Sequence, residues 1–315
     1  MGVFGTGLYS GDFAMDLRSA IKAVSRLPFE PGRLVEILCE SEPGAANDAA
    51  DPDHTVFWLV VADQFAKRGI DSSRARERAL AILGAGSDLA MQKKLGMAAS
   101  GLRQRERVLG EVKQRLSAPV TLHRPRAVLK KPQPFLMEVG DVMIYPTCLG
   151  KNINPYFASK EQDTHWTESG SAPWVQDAWA AFVMIDRGRA FDFLAWYRLL
   201  TLAEGVKGKP TLDSLLGEIL WRFERAGTCT ASHIKRMELE KVGSVTIDPE
   251  AMKRVFPGIK PGTSQAIDDI SIANAMNVAP AYNLKWVPQP GAMPDPRSGR
   301  PNPSMRGIQQ ILSSS

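Results

Sequence analysis

The sequence predicts an α+β protein: an N-terminal helical bundle, then a bent antiparallel sheet of the SH3-like barrel kind, with extra helices at its C-terminal end. Three observations predict it. Apolar residues recur at helical spacing through the first 119 positions. A basic stretch carrying Pro125, Pro132 and Pro134, without periodicity, follows. From Phe135 the period shortens, with aromatic and β-branched runs broken by Gly140-Asp141 and Gly243-Ser244. A chain of 315 residues exceeds one ordinary core. The expected division is a helical domain over 1–119, a linker over 120–134, a sheet-rich domain over 135–287 and a flexible tail over 288–315, where proline, glycine and serine dominate.

In order along the chain, Phe13, Leu17, Ile21 and Val24 mark the apolar side of a first helix, with Ser10 or Asp12 as its N-cap and Pro28 beyond its end. Pro31 opens a second helix over 31–39, and 40–53 reads as a polar loop. Residues 56–67 are apolar nearly all round, which predicts a buried helix closed by Gly69. Asp71 or Ser72 caps another helix ending at Gly84, and 100–116 makes the last of the bundle. In the second domain, strands are expected on either side of Gly140-Asp141. A hairpin over 179–202 should turn at Asp186-Arg187-Gly188-Arg189, and a strand pair should lie within 228–247. Asp248-Pro249-Glu250 opens a short helix, and 264–276 makes another.

Composition bounds the function. Hydrophobic residues form 44% and charged residues 23% of the chain, a globular balance. No run of eighteen apolar residues occurs and no basic-then-apolar leader opens the chain, so no membrane partner and a cytoplasmic location are expected. Cys39, Cys148 and Cys229 then read as free thiols. The net charge is +5, and basic and acidic residues nearly cancel up to Val120. The excess falls on Arg124, Arg126, Lys130 and Lys131 and on the last thirty residues, in a linker and a tail instead of a folded face, which disfavours nucleic acid as a partner.

No motif for a cofactor, a structural metal or an established catalytic constellation stands out. Gly5-Thr6-Gly7 with Gly11 follows no strand, so these glycines are expected to supply positive φ in a turn. Asp48, Asp51, Asp53 and His54 crowd one loop, where Asp53 serves as a helix cap more readily than as a metal ligand. Cys229 and His233 are four apart, which on a strand puts both on one face. A hydrolase using His233 with Cys229 or Asp186 is therefore one alternative, and a nucleic-acid-associated regulator using the basic linker and tail is another. The densest anomaly is aromatic: Tyr156, Trp166, Trp174, Trp179, Trp196 and Tyr197 interleave with Asp177, Arg187 and Arg189. Tryptophan and tyrosine are enriched at recognition surfaces. Trp166, Trp174, Asp177, Tyr156, Arg187 and Arg189 are the candidate binding residues, with Trp166 and Trp174 at the surface and Trp179 and Trp196 in the core.

Two resemblances follow from these residues. The opening, Met1-Gly2-Val3-Phe4-Gly5-Thr6-Gly7 with Asp12 and Asp16, resembles an uncharacterised bacterial family that begins Met-Gly-x-x-Gly-x-Gly. That likeness extends through Phe57-Trp58-Leu59-Val60-Val61-Ala62 and Gly86-Ser87-Asp88-Leu89, and implies a small helical domain without a known activity. The second part is similar to the immunity protein 26 type, on Gly140-Asp141-Val142-Met143-Ile144 and Ala180-Ala181-Phe182-Val183-Met184-Ile185, with a longer insertion over 149–171 in place of a glycine-rich turn. That resemblance implies a non-catalytic bacterial protein that neutralises a toxin by binding it, its partner being a protein.

Overall fold

The computed structural model describes residues 5–118, 126–155, 164–167, 170–217, 220–257, 273, 276 and 304–313. The chain divides into two compact units, the first running to Pro132 and the second starting at Gln133.

The first unit is all helix: α1 (Asp12–Val24), α2 (Pro31–Ser41), α3 (Pro43–Asn47), α4 (His54–Lys67), α5 (Ser73–Ala85), α6 (Ser87–Lys94) and α7 (Ala99–Ser117). Helix α4 is the axis, packed by α1, α3, α5, α6 and α7. Its all-round apolar sequence is the cause, because Phe57 to Ala62 and Phe65 each bury their side chains. Burial of each large side chain stabilises by about 1.5–3 kcal/mol. Gly69, at φ 65°, ends α4 in the left-handed conformation, with the Ile70 N–H donating back to the Phe65 carbonyl. Arg105 and Asp88 form a buried ion pair at 2.9 Å that Thr55 joins, and the same guanidinium holds the Gly7 carbonyl at 2.7 Å.

Several local expectations change. The polar loop holds α3, and a separate α6 follows Gly86, whose φ of 66° breaks the chain two residues beyond the expected stop. Gly11 takes the N-cap position of α1 in place of Ser10 or Asp12. Ser72 does cap α5, accepting from the Ala75 N–H. Asp53 precedes α4 without a side-chain cap bond, its backbone lying in the right-handed helical region instead of the extended one a cap adopts, and Asp51 holds its N–H at 2.8 Å. Gly5, Gly7 and Gly11 do not adopt positive φ; at Gly5 and Gly7 the constraint is steric, since a Cβ would sit 2.9 and 2.8 Å from the Ser10 hydroxyl.

The second unit is a curled antiparallel half-barrel, as the predicted α+β class requires. It contains β1 (Asp141–Cys148), β2 (Lys151–Asn152), β3 (Thr164–Thr167), β4 (Gly170–Pro173), β5 (Ala178–Ala190), β6 (Leu194–Leu202), α8 (Leu212–Leu215), β7 (Leu220–Gly227), α9 (Ala231–Arg236), β8 (Glu240–Ser244), α10 (Pro249–Val255) and β9 (Ser304–Arg306). The main sheet runs β2-β1-β5-β6-β7-β9, and β8 shares the β2 side of β1. Pro146 lies between the stretch of β1 paired with β8 and the stretch paired with β2, where a residue without an N–H costs no ladder bond. Every residue of β1 is buried. Strands β3 and β4 form their own two-stranded sheet.

Four expectations are corrected here. The β5–β6 turn falls at Phe191 and Asp192, at φ 51° and 63°, and Asp186-Arg187-Gly188-Arg189 is strand. Only the second half of 135–145 is strand. The region of the expected strand pair forms α9, capped by Thr230 through the His233 N–H, and then β8. The tail is not loosely ordered over 304–313: β9 pairs with β7, and Ile308 and Ile311 are fully buried. Thr246–Asp248 and Ile311–Ser313 then exchange two backbone bonds, at 2.8 and 3.0 Å, which stitch the sheet's ends together. Proline-rich composition up to Pro303 masked the short apolar spacing of Ile308 and Ile311. Asp248 and Pro249 cap and open α10 as expected, while the helix expected over 264–276 lies almost wholly outside the described residues.

Candidate functional site

The described candidate recognition residues occupy different settings. Trp174 is buried, 7% exposed, in a small cluster with Cys148 and Ile153. Trp166 occupies β3 opposite Ser171 in the separate hairpin. Tyr156 lies outside the described residues. Asp177 is exposed and holds the Leu149 N–H at 2.8 Å. Arg187 and Arg189, two apart on β5, both stack over the Phe135 ring at 4.2 and 4.0 Å. Arg187 also donates to the Met137 carbonyl and pairs with Glu138 at 2.5 Å, and Arg189 donates to the Gln133 carbonyl. Both arginines therefore clamp the incoming 133–138 segment to the sheet. Trp196 is core, 3% exposed, while Trp179 is half-buried beneath Lys209.

The residues of the hydrolase alternative are likewise engaged. The Cys229 thiol is pushed up to about 12, chiefly by burial, so it stays protonated near neutral pH. Asp186 is held by Arg198 at 2.8 Å, both only 13% exposed. Asp48 and Asp51 hold the backbone N–H groups of Ala50 and Asp53, and the His54 ring meets the Ala45 carbonyl at 2.7 Å.

Sequence reasoning missed a groove of about 740 Å³ in the helical unit. The ends of α1, α4 and α7 meet the start of α5 around it. Seven cationic side chains line it among the described residues: Lys22 and Arg26 from the end of α1, Lys67 and Arg68 from the end of α4, Arg76 from α5, Arg115 from α7, and Arg126. Among the described residues the only carboxylate on its wall is Asp71, which Arg76 meets at 3.4 Å. Beneath it, Asp63 is fully buried and holds Lys67 at 2.7 Å and Arg115 at 2.6 Å. The floor is apolar, with Phe65, Ile70 and Leu116 among alanines. Among the described residues seven cations thus face one wall carboxylate, Asp71, with Asp63 buried beneath. Charges that nearly cancel in number up to Val120 are therefore segregated in space, with cations gathered on one folded face.

The electrostatics of the groove rest on Asp63. Burial alone would raise its carboxyl, but bonds from Lys67 and Tyr9 and the charges of Lys67 and Arg115 prevail and hold it below the usual range. The Tyr9 hydroxyl bonds Asp63 and accepts from Gln64, and burial with that carboxylate pushes its own ionisation far up. Gln64 in turn accepts from Arg68. Burial lowers both Arg68 and Arg126, so each guanidinium carries part of a desolvation cost. Arg126 donates Nη2 to the Phe29 carbonyl at 2.7 Å, while its buried Nη1 has no hydrogen-bond partner among the described residues.

No protein-family model, curated protein or solved structure matches this chain. The two resemblances therefore rest on their own residues, and function has to be argued from the site. Among the described residues no helix is long and apolar enough to cross a membrane, and no group of three or more His, Cys, Asp or Glu could hold a metal ion.

Proposed function

We propose that this is a non-catalytic binding protein whose helical unit holds an anionic ligand in the groove at the ends of α1, α4 and α7. The observation that carries the reading is the convergence of seven cations on one concavity. Helix dipoles explain part of it: Lys22, Lys67 and Arg115 stand in the last turns of their helices, where each cation stabilises by about 0.3–1 kcal/mol. One cation per helix end satisfies that need. Arg26, Arg68 and Arg126 exceed it, and like charges crowded together oppose folding unless an anion shares them.

Calorimetric titration of inorganic tripolyphosphate into the full chain tests this. Saturable one-site binding is expected, weakening with salt and falling about tenfold or more in the Lys22→Glu, Arg26→Glu double variant. No binding at low salt overturns the reading.

A protein partner, of the toxin-neutralising kind that the second resemblance implies, is a second reading. One observation favours it: the β3–β4 hairpin stands as a sheet of its own, with Trp166 on it and Val175, 64% exposed, just after it. Recovery of a stoichiometric partner from native lysate by the wild type but not by Trp166→Ala supports this reading, and equal recovery counts against it.

A further inference from the structure

We infer that the groove's ligand is a compact polyphosphate ester with a flat apolar body, the chemistry of a nucleoside polyphosphate; this rests on the anion-binding reading of the same groove. Charge alone does not account for its shape. Ala62, Ala66, Ala75, Ala118 and Ala127 all line it, so small side chains leave the space that larger ones would fill. Phe65, Ile70 and Leu116 supply apolar contact below. A bare polyanion gains nothing from such walls, whereas a flat ring buries area against them. Five of the seven cations are arginines, whose planar forks bind phosphate through paired hydrogen bonds and also stack on aromatic rings. The Nη1 of Arg126, buried and without a hydrogen-bond partner among the described residues, is a further donor at the same wall. A volume of about 740 Å³ is that of a small-molecule site instead of an open track for a strand.

The chain reversal at Gly69 shapes the site. Its left-handed backbone turns 69–72 across the end of α4, and Gly69, Ile70, Asp71 and Ser72 all line the groove. Ala66, one turn earlier and half-buried, faces the same space. A larger side chain at Ala66 should therefore exclude a flat body while leaving the cations in place.

The experiment compares three probes by calorimetry on the full chain: inorganic tripolyphosphate, a purine nucleoside triphosphate and a twelve-nucleotide single strand. The nucleoside triphosphate is expected to bind at least about tenfold tighter than tripolyphosphate. Ala66→Leu should lower nucleoside triphosphate affinity far more than tripolyphosphate affinity and so erase that advantage. Should Ala66→Leu fail to fold, Ala127→Leu on the exposed side of the wall makes the same test. Equal affinity for the two small probes overturns the inference and leaves anion binding standing. Tightest binding of the oligonucleotide also overturns it, in favour of a nucleic-acid strand. Failure of all three probes removes both readings.

Discussion

Asp63 and Arg115 lie 52 residues apart in sequence, yet the buried carboxylate and the guanidinium meet at 2.6 Å. Lys67 meets the same carboxylate at 2.7 Å, so two of the groove's seven cations hang on one buried acid. Asp63 thereby holds the groove together and limits its positive charge.

Replacing that acid should separate the two effects. Asp63→Asn is expected to cost about 1–3 kcal/mol of stability at pH 7, because bonds from Tyr9, Lys67 and Arg115 lose their charged acceptor. It should also tighten tripolyphosphate binding severalfold, since Lys67 and Arg115 are no longer neutralised. Urea unfolding and calorimetry on one preparation check both signs.

Acid should weaken the wild type more than this variant. The folded-state carboxyl of Asp63 lies below its unfolded value, so its contribution is complete above about pH 3.9 and is lost as pH falls through the folded value. Asp141 is held down in the same direction by the Glu138 N–H, Lys241 and Ser244, against burial, so part of the acid sensitivity persists in Asp63→Asn. Stability measured between pH 7 and pH 3 should show a steeper loss in the wild type.

The tail is structural. Ile308 and Ile311 are fully buried, so Ile311→Ala should cost about 2–4 kcal/mol, as for a core isoleucine. A change near zero in chemical unfolding denies the tail its place in the sheet.

At Gly140 the backbone sits at φ 93°, and a Cβ would fall 2.0 Å from the Val245 carbonyl oxygen. Gly140→Ala should therefore destabilise by about 2 kcal/mol or more, through strain and a forced shift of the chain beside β8. Denaturant midpoints read this directly.

How much was legible in the sequence follows from where each signal resides. Helix α4 could be read because its apolar residues run consecutively and its stop, Gly69, is local. The β5–β6 strands were legible, but their turn was not: Asp-Arg-Gly-Arg carries turn chemistry, whereas Phe191 in the left-handed region is a choice that packing imposes. Helix α9 buries none of its residues, so no apolar period announces it, and only Thr230 marked its start. The groove was illegible for a different reason. All its cations but Arg126 come from the stretch up to Val120, where acids and bases nearly cancel in number, and only folding segregates them. The pair Lys67-Arg68 at a helix end, with Lys22 and Arg26 one turn apart at another, was the signal available. Within the aromatic cluster Trp196 is core as expected, but Trp174 is core instead of surface, and Arg187 and Arg189 serve Phe135.

The most direct test of the central claim is a tripolyphosphate titration of the full chain followed by amide chemical shifts. Saturable shifts confined to the ends of α1, α4 and α7 and to 69–76 are expected, with the amides of β1, β5 and β6 unmoved. Shifts concentrated in the sheet, or none at saturating tripolyphosphate, would contradict it.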